Sequence, residues 1–133
     1  ETYQRLNTTP LWVRFGQFLV AHAAWHEKMD WIDAPLLTDK NIEKYIFPTL
    51  YGETDGHKKD SSERPIRTYE WIDRLDKNTA MIVGHDIHSK EQPVLIEGLR
   101  GGHVLFLDTG CGKGGKLSTI SLTWEEIGEE PKF

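Results

Sequence analysis

The apolar residues of this chain come in short runs separated by polar, glycine-bearing joints, a rhythm that predicts a small sheet with few helices. Residues 11–15 and 17–22 read as two strands meeting at Gly16, a hairpin signal. Residues 80–84 (Ala-Met-Ile-Val-Gly) read as a buried strand. Residues 93–98 and 103–108 follow as two more, joined by Leu99-Arg100-Gly101-Gly102. Residues 116–122 alternate Leu117, Thr119 and Ser121 with Ser118, Ile120 and Leu122, which suits a further strand.

Helical spacing is sparser. Thr38 is placed to cap a helix whose pattern runs through Ile42, Tyr45, Ile46 and Leu50, with Pro48 limiting or bending it. Thr68 is placed to cap a second short helix over 69–75, with Ile72 and Leu75 turned inward. Residues 2–9 suggest a short helix end, 23–34 a loop or short helix carrying Trp25, His26 and Trp31, and 51–65 a polar surface loop. Residues 125–133 read as an acidic, frayed tail. About six strands against two or three short helices predict an α/β fold of mostly antiparallel hairpins. No internal repeat or boundary divides residues 1–133, so a single domain is expected.

Composition narrows the classes. The 133 residues suffice for one domain with a modest core. A net charge of −5 argues against an extended nucleic-acid face. The apolar runs fall far short of the ~20 residues that cross a membrane. A single cysteine, Cys111, allows no internal disulfide, so a reducing, cytoplasmic setting is expected. The five tryptophans read as core and loop packing.

The candidate chemistry sits at strand ends. His22 closes the run Phe18-Leu19-Val20-Ala21, and His85 closes Met81-Ile82-Val83-Gly84. Imidazoles where strands turn into loops are well placed to bind a metal, because the sheet fixes their direction. Small neighbours (Ala21, Ala23 and Gly84) leave room for an ion and its substrate. The alternative for each is a satisfied core histidine. Asp108 ends the run Val104-Leu105-Phe106-Leu107 and opens a glycine-rich turn, as an Asx-turn residue also would. Gly110-Cys111-Gly112-Lys113-Gly114-Gly115-Lys116 nearly spells a phosphate-binding loop, but Leu117 stands where Ser or Thr is needed and a β-rich segment follows in place of a helix. Cys111 reads as a small packing residue, since no base is in view beside it.

In order, Val20-Ala21-His22-Ala23, Val83-Gly84-His85-Asp86 and Leu107-Asp108-Thr109-Gly110-Cys111 with Gly114-Gly115-Lys116-Leu117 resemble the second half of a calcineurin-like metallophosphoesterase. The likeness is to the diadenosine tetraphosphatase, bacterial polynucleotide kinase-phosphatase and serine-threonine phosphatase branches. Tyr51-Gly52-Glu53-Thr54 and Arg67-Thr68-Tyr69-Glu70-Trp71 fit the same pattern. The resemblance implies part of a metallophosphoesterase sandwich. It makes His22 and His85 ligands of one metal, and Asp108 and Arg67 catalytic residues, Arg67 toward the substrate phosphate. His88 is a further ligand candidate, for the other metal. Relatives carry Gly-His-x-His, whereas Gly84-His85-Asp86-Ile87-His88 is one residue longer, and a one-residue slip turns a side chain to the opposite face.

The family's earlier motifs, Asp-x-His, Gly-Asp-x-x-Asp-Arg and Gly-Asn-His, do not precede His22. Asp55-Gly56-His57 lies in a polar stretch with no strand before it, and Asp86-Ile87-His88 belongs to the later histidine segment. Glu1 opens the chain without an initiator methionine, and the expectation is the C-terminal portion of a larger domain. The implied function is metal-dependent phosphoester hydrolysis with manganese, iron or zinc, dinuclear only when the other half is supplied. The implied substrate is a phosphorylated small molecule, a nucleotide or a phosphoprotein. Open sheet surface is expected to pair with that half or to self-associate. The alternative is a non-catalytic interaction module that keeps a remnant of the fold.

Overall fold

Short apolar runs pair as strands, and a wholly apolar run takes the middle of the sheet. The structure, a computed structural model, describes residues 8–30, 33–36, 43–123 and 125. In chain order the elements are β1 (Trp12–Phe15), β2 (Phe18–Ala21), α1 (Glu43–Tyr51), β3 (Thr54–Lys59), β4 (Pro65–Arg67), β5 (Ala80–Val83), β6 (Val94–Glu97) and β7 (His103–Phe106). Short 3-10 turns lie at Glu27–Asp30, Ile72–Arg74 and Cys111–Lys113. The main sheet has the order β1-β2-β5-β7-β6, with the apolar β5 at its centre. The fold is thus mixed α/β with a five-stranded sheet and few helices. The β1–β2 and β6–β7 hairpins are antiparallel as the spacing predicts, β3–β4 is a further antiparallel hairpin, but β5 runs parallel to both of its neighbours. Short turns make hairpins; the long connections from β2 to β5 and from β5 to β7 permit parallel return.

Register sorts the side chains onto two faces. Leu19, Met81, Val104 and Ile96 form one cross-strand row, and Ala21, Val83, Phe106 and Val94 the next. These rows pack with Trp12, Trp25, Met29, Trp71, Ile72 and Leu75 into the core. Leu19 and Phe106 are almost wholly buried, and each such side chain stabilises by roughly 1.5–3 kcal/mol. On the opposite face, Val13, Val20, Ile82, Leu105 and Leu95 fall in one row across all five strands. Leu95, at the β6 edge, is 63% exposed.

Several expectations are corrected. Residues 51–65 are not simply a loop: after the end of α1 they hold β3 and lead into β4, an exposed hairpin. It lacks apolar alternation because neither face is buried; its tip is tied by Asp60, whose Oδ1 accepts from the Ser62 and Arg64 amides. The helix expected over 69–75 is a single 3-10 turn without a side-chain cap. Thr68 instead donates its amide to the Glu53 carbonyl, which aligns it with the hairpin. Residues 116–122 form no strand. β7 already has β5 and β6 on its two sides, and the Lys116 amide and carbonyl bond Lys90 and Thr109 in place of a ladder. Cys111 is exposed, not packed. Thr38 and Ile42, Trp31, Trp124, residues 2–7 and most of the tail lie outside the described residues.

Pro48 sits inside α1. The helix continues past it, and Gly52 donates to the Pro48 carbonyl. Among the described residues no helix is long and apolar enough to cross a membrane.

Candidate functional site

β2 and β5 are parallel neighbours, so their C-terminal ends lie side by side, the place where open α/β sheets present ligand-binding groups. His22 follows β2 by one residue and His85 follows β5 by two. The His22 carbonyl accepts from the Gly84 amide at 2.9 Å, extending the ladder past the strand ends. The imidazoles meet: His22 Nε2 and His85 Nδ1 are 3.0 Å apart. That distance suits one N–H···N hydrogen bond. It is also the separation of two nitrogens bound to one ion at about 2.1 Å with about a right angle between them.

A sharp local turn aims His85. The Asp86 amide donates to the Gly84 carbonyl at 2.6 Å across His85, whose φ is 61°. A bond from residue i to i+2 around a positive φ is a γ-turn, an uncommon and strained conformation for a side-chain-bearing residue. The turn enters close to β2, where a Cβ on Gly84 would make an ordinary contact, 3.5 Å, with the His22 carbonyl oxygen. Burial lowers the pKa of His85 from its usual value, and the positive charges of Arg67 and His22 add to that; Asp86 and Asp108 oppose it. A neutral imidazole at pH 7 is the form that binds metals.

Both histidines open onto a cleft of about 1270 Å³ that Arg67, Asp86 and Asp108 also line. Arg67 Nε donates to the Tyr51 carbonyl at 3.0 Å and Nη1 to Asp86 Oδ1 at 3.3 Å. Asp86 also takes the Tyr69 hydroxyl on Oδ2 at 2.5 Å. Burial, then that bond to Asp86, pushes the Tyr69 phenol up to about 12, so it stays a donor. Asp108 Oδ1 accepts from the Gly110 amide at 2.7 Å, the Asx-turn arrangement.

His22, His85, Arg67 and Asp108 therefore share one cleft. His88 does not join them. Its ring lies 3.9 Å, centroid to centroid, from Phe106 of the core, and its Nε2 is 3.3 Å from Asp86 Oδ2. The extra residue between His85 and His88 turns it toward the core side. Asp86 was not among the candidate site residues, although its place directly after His85 marked it. It collects Arg67, Tyr69 and His88. Phe47, on the cleft wall, was also missed, and Tyr51 beside it entered only within the Tyr51-Gly52-Glu53-Thr54 match.

Among the described residues, no three His, Cys, Asp or Glu side chains come together as a metal-holding group. The two imidazoles fit two adjacent positions on an ion; the described residues do not complete a set. No protein-family model, curated protein or solved structure matches this chain.

Proposed function

We propose that the chain is the C-terminal portion of a metallophosphoesterase-type domain, acting in metal-dependent hydrolysis of phosphoesters. The observation that carries this reading is the convergence of His22 and His85. They lie 63 residues apart in sequence and 3.0 Å apart nitrogen to nitrogen, at the ends of adjacent parallel strands. A divalent ion (manganese, iron or zinc) supplies Lewis acidity toward a phosphate oxygen when bound. His22 Nε2 and His85 Nδ1 are the atoms that would hold it, with the remaining ligands coming from outside the described residues.

The chain's own part in the reaction is positioning and charge. Arg67 is fixed by the Tyr51 carbonyl and Asp86, with three of its five N–H donors left for a phosphate. Asp108 keeps one carboxylate oxygen beyond its turn bond, and its charge favours the imidazolium of His85. Asp86 holds Arg67 in place from the residue next to His85.

Titration of the apo chain with zinc or manganese by calorimetry tests the reading, alongside hydrolysis of p-nitrophenyl phosphate. Binding lost in both His22→Ala and His85→Ala is the expected result. Undiminished binding in the double variant sinks the site. A second reading, a non-catalytic interaction module, draws on the apolar row that ends at exposed Leu95 and on a ligand set that is incomplete among the described residues. A metal-free fold that forms a stable dimer and shows no hydrolysis favours it.

A further inference from the structure

The cleft has an aromatic wall that the hydrolytic reading does not use. Phe47 and Tyr51 lie four residues apart on α1, on one face of the helix, with ring centroids 5.6 Å apart. Phe47 is 69% exposed and Tyr51 53%, and both line the cleft. Of the nine large apolar side chains exposed among the described residues, these two line the cleft. Tyr51 also stands edge-on to His85, 6.4 Å between centroids, so the wall begins at the histidine pair.

The polar residues of the same cleft set the charge of what would lie against that wall. The backbone carbonyl of Tyr51 carries Arg67, so the guanidinium and the aromatic wall are fixed relative to each other by one residue. Arg64 and Lys113 line the cleft as well. Of the acids there, Glu53 is paired with Arg74 and Asp86 with Arg67, while Asp60 and Asp108 accept backbone amides and keep their charge, so Arg67 is where an anion is best received. The cleft thus offers two aromatic rings, tilted 49° to each other, beside the guanidinium of Arg67, which suits a planar ring joined to a phosphate.

We propose that Phe47 and Tyr51 form a stacking platform for the base of a nucleotide whose phosphate is directed to Arg67 and the histidine pair. This rests on the phosphoester reading above and narrows its substrate class to nucleotides. Stacking of a base on an aromatic ring tolerates any base.

The test is calorimetry on the full chain with EDTA present, using AMP and ribose 5-phosphate as probes. The expected result is tighter binding of AMP than of ribose 5-phosphate. Phe47→Ala and Tyr51→Ala should each weaken AMP by about fivefold to a hundredfold and leave ribose 5-phosphate unchanged. Phe47→Leu, which keeps bulk without a π-face, should lose affinity for AMP as Phe47→Ala does. Equal binding of the two probes to the unsubstituted chain overturns the platform while leaving the phosphoester reading intact. Binding of neither probe also overturns the platform; the phosphoester reading fails separately, in the metal titration of the double histidine variant. Should Phe47→Ala and Tyr51→Ala convert a dimer to a monomer by light scattering, the wall is a contact between copies and the platform is overturned. Both side chains are exposed, and matching thermal melts verify that the variants fold.

Discussion

His85 at the apex of its γ-turn yields a prediction whose sign is opposite to the usual rule. In ordinary strand or helix positions Gly is less stable than Ala by roughly 0.5–1 kcal/mol, because it loses more chain entropy on folding. At His85 the backbone has φ 61°, where an L residue pays about 1–2 kcal/mol for its Cβ and Gly pays nothing. The two effects oppose each other, and the steric one is larger. His85→Gly should therefore be more stable than His85→Ala by up to about 1.5 kcal/mol. Both substitutions remove the imidazole, so lost contacts with His22 and Tyr51 cancel in the comparison. Urea unfolding followed by tryptophan fluorescence measures it, with equal slopes required of the two variants. Leu95, exposed in the middle of β6, is the control, and there Ala should exceed Gly. If His85→Ala proves as stable as His85→Gly, or more so, the turn is not strained and the argument about how His85 is aimed fails.

Other outcomes follow from the same geometry. Gly98→Ala should destabilise by about 1–3 kcal/mol, since its Cβ would run into the Ile72 carbonyl; denaturant titration measures this, and an unchanged midpoint would show that β6 can move away. Asp86→Asn should lower the Tyr69 phenol from about 12 toward its usual 10 in an ultraviolet pH titration, though burial, the larger cause, remains; no movement would remove Asp86 from the network. The His85 pKa is depressed in the folded chain, so its contribution to stability is full above 6.5 and is lost as pH falls through the folded value. Stability measured from pH 7.5 to 5 should fall less steeply in His85→Gly than in the unsubstituted chain; parallel curves would contradict the shift.

The parts legible in the sequence were those set by local pattern. The runs ending at Ala21, Val83 and Phe106 announced their strands, and their ends announced where the candidate ligands stand. The slip between His85 and His88 was readable by counting residues, and the structure turns His88 toward Phe106 accordingly. What local pattern missed depends on distant partners. β3 and β4 carry no apolar alternation, because their stability comes from each other and from Asp60 at the tip. Residues 116–122 alternate well enough for a strand, yet no sheet edge beside β7 is free to receive them. The parallel sense of β5 could not be read from β5 itself, since it follows from how long connections return. The aromatic wall was hidden because the apolar residues of a helix ordinarily face a core, and only the folded cleft leaves Phe47 and Tyr51 outside it.

The β2–β5 ladder joins Phe18 to Ala80 across most of the intervening chain. Closing a loop of that length costs roughly 3–4 kcal/mol of chain entropy. Within that loop, the β3–β4 hairpin is exposed along its length and folds upon itself. A single proteolytic nick at its tip, between Asp60 and Arg64, would leave one histidine on each of two pieces while severing no bond of the main sheet. The histidine pair thus belongs to neither half of the chain; reassembly of the two pieces would be reported by the pair itself.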